Sequence, residues 1–347
     1  MFNIFRYTSI AIFFLTTASS NSEELKLTTN GELYVYSLGN CPLVGGEVIE
    51  DCHLAYRTQG TLAEDKSNVM LIPTWLGGNS EDFIKSGYVG SGKMADTDKY
   101  YVIIVEAFGS GNSSSPSNSV TQHNGAFPEF SITDMVDAQH QLLTNQLGLD
   151  HVSAVIGISL GASQTYHWMS KYPNFLDQAV IITGTPKLTT SDKLSYRLAI
   201  DAVTGLLKLN DDGKQARNFI IRFERHMAWT SSWFAREIPS EEFQNFDRKI
   251  LKDTRVNPYD YRVQTTALLY ADITSQDGGD LSKTAARLKM PFLTLSHNQD
   301  GYINPAPSQE LADLSNNPNL FLSGDCGHYS PDCELQELVT EVHKFLK

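Results

Sequence analysis

The sequence predicts an α/β fold: a mostly parallel sheet covered by helices on both faces, with a helical insertion late in the chain. Three observations carry this expectation. Short, continuous apolar runs recur along the chain, helical spacing lies between several of them, and strand patterns are scarce in the helix-rich, polar residues 187–280. The runs are residues 69–73 (VMLIP), 100–105 (YYVIIV), 153–156 (SAVI), 179–182 (AVII) and 291–295 (PFLTL). A strand buried on one face alternates apolar and polar residues. A strand buried on both reads as an unbroken apolar run, as parallel strands do.

Taken in order, the elements fit that scheme. Residues 21–60 mix strand-like pieces, Leu33–Ser37 and His53–Arg57, with turns. After Ser131, the residues Met135, Ala138, Leu142 and Leu147 recur near helical spacing. Ser131 with Asp134 forms a capping box, and Gly148 closes the far end. Alternating strand and helix implies a parallel sheet with helical cover. Residues 187–280 read as a helical cap inserted into a core made of 21–186 and 281–347.

Composition sets outer limits. The chain has 347 residues, 41% hydrophobic and 19% charged, as globular proteins do. Its formal net charge of −13, with no basic cluster, argues against a nucleic-acid partner. At the start, Arg6 precedes the apolar run Ser9–Leu15, and Ala18 and Ser20 follow in a small-residue pattern, so residues 1–20 read as an export signal. No second long apolar run follows, and stable membrane insertion is not expected. The expected location is periplasmic or secreted. Four cysteines suit such an oxidising compartment and fall into two local pairs, Cys41 with Cys52 and Cys326 with Cys333. Three connectivities are possible in principle; short-range closure favours the local one. No phosphate-binding loop, dinucleotide fingerprint or metal motif is present, so no cofactor and no metal are expected.

The chemistry concentrates at Gly157-Ile158-Ser159-Leu160-Gly161. This is G-x-S-x-G between an apolar run and a helical stretch, the setting of a nucleophile elbow. A serine hydroxyl needs a base, and in the α/β-hydrolase class the acid and histidine follow it in that chain order. Asp300 lies just past the run 291–295, and His328 lies before the last helix. The expected roles are Ser159 as nucleophile, His328 as general base and Asp300 as its orienting acid. The oxyanion of an acyl-transfer intermediate would be held by the N–H of Leu160 and by a second N–H from Thr74–Gly78, at Leu76 or Trp75. The nearby His297 reads as a loop or core residue.

Further motifs resemble one family, the homoserine O-acetyltransferases of the α/β-hydrolase superfamily. Residues 96–103 (DTDKYYVI) are similar to that family's DTDxYFVI. Residues 111–117 (GNSSSPS) are similar to its GSTGPxS loop. Phe127-Pro128 through Gln139 is similar to FPxxTxxDMVxAQ, and Trp168 with Tyr172-Pro173 to the segment after the elbow. Weaker similarity reaches Asn257-Pro258-Tyr259, Asp300 to Pro305 and Gly327-His328. The resemblance implies the same three residues and an acyl-enzyme on Ser159. The elbow and the 73–78 segment depart from the family's wording, and the cap aligns only loosely at Arg225. Acetyl-CoA and homoserine are cytosolic, so an exported relative is expected to give the acyl group to water. The expected activity is an exported carboxylic-ester hydrolase acting on a small-molecule ester. The alternative is an O-acetyltransferase moving acetyl from acetyl-CoA to a hydroxyl acceptor. A monomer or homodimer is expected.

Overall fold

The computed structural model describes residues 31–209 and 212–346. The export signal expected at residues 1–20 lies outside that range.

Eight strands form one sheet: β1 (Tyr34–Pro42), β2 (Val48–Gln59), β3 (Val69–Pro73), β4 (Tyr101–Val105), β5 (Val152–Ile158), β6 (Leu176–Ile182), β7 (Phe292–Ser296) and β8 (Asn319–Phe321). Their spatial order is β1-β2-β4-β3-β5-β6-β7-β8. Strand β2 runs antiparallel to both its neighbours, and every pair from β4 onward is parallel. The five apolar runs fall on β3 to β7. Each is buried on both faces because successive residues point to opposite sides of the sheet. Leu71, Ile103, Val155 and Ile181 join the core on one side. Ile72, Ile104, Ile156 and Ile182 join that on the other. Strand β8 has no such run: its three residues are only half-buried, too short and too exposed to stand out in the sequence.

The helices are α1 (Ser80–Lys85), α2 (Ile132–Gln141), α3 (Leu160–Lys171), α4 (Thr190–Leu206), α5 (Lys214–Ala228), α6 (Ser231–Glu237), α7 (Phe243–Ile250), α8 (Pro258–Leu269), α9 (Leu281–Arg287), α10 (Ala306–Leu314), α11 (Ser330–Cys333) and α12 (Leu335–Phe345). On one face of the sheet lie α2, α3 and α10; α1 and α12 cover the other. Helix α2 starts where the capping box places it: Ser131 N–H donates to Asp134 Oδ2 at 2.8 Å, and Asp134 N–H donates to Ser131 Oγ at 3.2 Å. It then widens into a π-helical turn, Leu142–Gln146, before Gly148.

Among the described residues of 187–280, the regular secondary structure is helical, joined by loops, apart from an isolated bridge between Lys187 and Asp272. They are not uniform. Helix α8 contributes Val263, Ala267 and Leu268 to the main core. Val203, Ala216, Ile220 and Tyr261 make a small separate core among α4, α5 and α8. Helices α6 and α7 bury no residue fully. Among the described residues, no helix is long and apolar enough to cross a membrane.

Candidate active site

The site lies where the parallel strands end, outside their carboxyl edge. Ser159 sits between β5 and α3 with φ 58 and ψ −118. That left-handed conformation is strained for a residue with a side chain. The surroundings enforce it. Ser159 N–H donates to the carbonyl of Ile182 on β6 at 2.9 Å. A Cβ on Gly157 would meet the Gly161 carbonyl oxygen at 2.1 Å, and one on Gly161 would meet that of Pro73 at 2.4 Å. The two glycines therefore let strand, helix and the end of β3 close on one another, which turns the serine outward.

Asp300 comes from the loop after β7 and His328 from a 3-10 turn after β8, Gly327–Tyr329. The three residues, far apart in sequence, meet. His328 Nε2 lies 2.9 Å from Ser159 Oγ, and its Nδ1 lies 2.7 Å from Asp300 Oδ2. The other Asp300 oxygen accepts the N–H groups of Tyr302 and Ile303 at 2.8 and 2.9 Å. With its carboxylate thus held, Asp300 is placed to fix the proton on Nδ1, a geometry that leaves Nε2 facing the Ser159 hydroxyl. His297 is buried and accepts the Gln299 N–H at 3.0 Å, so it shapes the loop that carries Asp300.

Burial alone would push the His328 imidazole down. The Asp300 carboxylate, through charge and hydrogen bond, outweighs it, and Glu224 and Asp332 add to the pull, so the ring lies above the ordinary histidine value. Glu224, from α5, is pushed up by its own burial, against the hydrogen bond from Tyr302. The Tyr302 ring also stacks on His328, with centroids 5.0 Å apart. Asp332 accepts from the Tyr88 hydroxyl at 2.6 Å. Neither Glu224, Asp332 nor Tyr302 stands out in the sequence, because no spacing rule ties them to the serine.

Trp75 and Leu76 follow β3 and line the cavity that holds Ser159 and His328. Leu160 begins α3, where N–H groups have no intrahelical acceptor. Trp75 stacks on Phe83 at 3.9 Å, which anchors the segment to α1. The cavity around Ser159 measures about 190 Å³ and shares Trp75, Leu76, Glu224 and Asp332 with a second, outer one of about 440 Å³.

Both cysteine pairs are bonded as short-range closure suggests, Cys41–Cys52 across the β1–β2 hairpin and Cys326–Cys333 around His328. Among the described residues, no group of histidine, cysteine and acidic side chains could hold a metal.

A serine on a strand-to-helix elbow, with imidazole and carboxylate supplied by later strand ends, defines the serine-nucleophile α/β class. The chain belongs to the α/β hydrolase fold family, whose profile matches residues 68–332. It is 30% identical to an ethyl acetate hydrolase of Pseudomonas veronii over 329 residues, 88% of this chain and 93% of that protein. It is 32% identical to a homoserine O-succinyltransferase of Janthinobacterium over 323 residues, 80% of this chain and 82% of the other. The solved structure of an acetylester hydrolase from Corynebacterium glutamicum superposes with a TM-score of 0.83 at 25% identity, covering 91% of this chain and 96% of that one. The chain is thus an α/β-hydrolase enzyme of the ester hydrolase or acyltransferase kind, similar to the homoserine acyltransferases as its motifs led one to expect.

Proposed function

We propose that the protein is an exported carboxylic-ester hydrolase that works through an acyl-enzyme on Ser159. The observation that carries this reading is the contact chain Ser159–His328–Asp300, whose serine and histidine line a small cavity. Ser159 Oγ attacks the ester carbonyl as His328 Nε2 takes its proton. The oxyanion rests on the N–H groups of Leu160 and of Trp75 or Leu76, each such donor supporting about 3–4 kcal/mol of barrier reduction. The imidazolium returns the proton to the departing alcohol. Water then gives a proton to Nε2, attacks the acyl carbonyl, and the acid leaves as Ser159 Oγ regains its proton. Asp300 stays ionised throughout.

The cavity of about 190 Å³ suits a short acyl group such as acetyl. Residues 187–280 act as the cap, whose α5 supplies a wall of that cavity through Glu224 and Ala228. Paired cysteines and the leader-like first twenty residues support export.

A transferase using a CoA donor is the second reading, favoured by the homoserine O-succinyltransferase relatives. The outer cavity weighs against it. Asp82, Glu224, Asp253, Asp260 and Asp332 line it against two cations. Arg255 already pairs with Asp253 at 3.0 Å, and Arg225 donates to the Tyr329 hydroxyl at 2.6 Å. Phosphates would meet mostly carboxylates.

The test offers p-nitrophenyl acetate or acetyl-CoA to the purified protein, with and without homoserine, and resolves the products. Acetate release indifferent to homoserine is expected. The Ser159→Ala variant should lose on the order of a million-fold in kcat, as removal of such a nucleophile does elsewhere. Formation of O-acetylhomoserine from acetyl-CoA would establish the transferase instead.

A further inference from the structure

We propose that two buried glutamines, Gln164 and Gln264, are positioning residues that hold the segment after β3 in its oxyanion-binding conformation. This inference rests on the serine-hydrolase reading above and goes beyond it.

The segment is pinned at both ends. At Thr74 the N–H donates to the Val105 carbonyl at 3.1 Å, and the Thr74 carbonyl accepts from Gln164 Nε2 at 3.0 Å. At Gly77 the N–H donates to Gln264 Oε1 at 2.8 Å, while Gln264 Nε2 donates to the Phe108 carbonyl at 2.7 Å. Both glutamines are fully buried. Only Trp75 and Leu76 lie between the two clamps. Among the described residues, their N–H groups meet no acceptor within the chain, while Gly78 N–H returns to the Trp75 carbonyl at 3.1 Å. The two unspent donors thus belong to the residues of the segment that line the same cavity as Ser159.

The chemistry of the partners fixes which way each amide points. Gln264 sits between a carbonyl, which can only accept, and an N–H, which can only donate, so one orientation satisfies both. Gln164 is set by a longer chain. Trp168 Nε1, a donor only, gives to Gln139 Oε1 at 2.8 Å. Gln139 must then present its NH₂ to Gln164 Oε1, at 2.6 Å, and Gln164 must present its own NH₂ to Thr74. A fully satisfied buried network of this kind is rigid, and breaking one member leaves others unpaired in the core. The same Gln164 Nε2 also reaches the Leu160 carbonyl at 3.3 Å. One side chain therefore ties the two sources of oxyanion donors, the start of α3 and the end of β3, to each other. Gln264 comes from α8, so the helical insertion itself holds part of this machinery.

The test uses Gln264→Met and Gln164→Met, which keep size and remove the hydrogen bonds. Each is read by kcat and KM on p-nitrophenyl acetate and by inhibition with 1,1,1-trifluoroacetone, which adds to Ser159 as a tetrahedral hemiketal, against acetone, which does not. Each variant is expected to lose about 100-fold in kcat with KM unchanged, since displacements near 1 Å at a reacting centre cost that much. Trifluoroacetone should weaken by a similar factor and acetone not at all. Raised KM with normal kcat, or lowered thermal stability with normal trifluoroacetone inhibition, would overturn the proposal. Should both variants fail to fold, the structure of the wild-type hemiketal decides. Its oxygen is expected within about 3 Å of Leu160 N and of Trp75 N or Leu76 N, and an oxygen bound elsewhere sinks the idea. A wild-type protein that neither hydrolyses the ester nor forms the adduct removes the hydrolase reading, and this one with it.

Discussion

At the scale of single residues, the histidine carries the pH behaviour. On the proposed mechanism His328 must be neutral to take the Ser159 proton, so kcat/KM is expected to rise with pH through the pKa of its imidazole. That value lies above the ordinary one because Asp300, Glu224 and Asp332 outweigh burial. The Tyr302 and Tyr329 hydroxyls near it stay protonated, both being pushed up by burial. Arg225 faces Glu224 and partly offsets its charge. Replacing Glu224 by Gln deletes one cause of the upward shift and keeps an acceptor for Tyr302. The acid limb of kcat/KM should move to lower pH, leaving the variant relatively more active in acid than the wild type. An acid limb that stays put would show that Glu224 is silent at His328, and one that moves upward would overturn the assigned direction of its effect. This residue also shows where sequence reading stops. Ser159 and Asp300 are legible because each follows an apolar strand run, and His328 because chain order and its place before the last helix relate it to them. Glu224 reaches the site only through the packing of α5, and no spacing within one segment encodes that contact.

At the scale of elements, the strands were the most legible part. Burial on both faces leaves continuous apolar runs with few polar residues within β3 to β7, so their sequences announce them. Strand β8 lacks that constraint and was not seen. The helix after Ser131 was legible at its start, through a side-chain cap, and less so at its end, where a π-helical turn carries it on to Gly148. The cysteine spacing indicated a local pairing, and the Cys326–Cys333 bond closes a loop with a sequence separation of 7 around His328. Closing so short a ring stabilises the fold by about 2.5 kcal/mol on the chain-entropy account. The loop has other braces: Thr230 Oγ1 donates to the Asp325 carbonyl, and Arg236 pairs with the Asp325 carboxylate. A double Cys326→Ser, Cys333→Ser variant is therefore expected to fold, to unfold at lower urea by roughly that free energy, and to lose kcat more than KM as the imidazole frame loosens. Unchanged urea midpoint and unchanged kcat would leave the bond without a role in holding this turn.

At the scale of the whole molecule, the helical insertion and the sheet core are joined through α8, and one carboxylate at that seam carries a stability cost. Asp260 accepts the Ser117 N–H at 2.9 Å and the Ser117 hydroxyl at 2.6 Å, tying α8 to the glycine- and serine-rich loop of residues 109–119. The bond was not legible in the sequence, because its partners lie 143 residues apart. Burial pushes Asp260 up to about 6 from 3.8, against the two Ser117 bonds that pull it down. Between those two values the folded chain keeps a proton that the unfolded chain has released. Stability from this group is therefore full below about pH 4, falls as pH rises toward 6, and stays low above it, a loss of up to about 3 kcal/mol. Asparagine at 260 can still accept from the Ser117 N–H and carries no charge to bury. Relative to the wild type, Asp260→Asn should gain stability as pH is raised from 4 to 6 and hold that gain at pH 8, as read by urea unfolding at each pH. A stability difference that is the same at pH 4 and pH 8 would mean that the buried carboxylate ionises at its ordinary value, and that the seam between insertion and core is held without regard to its charge.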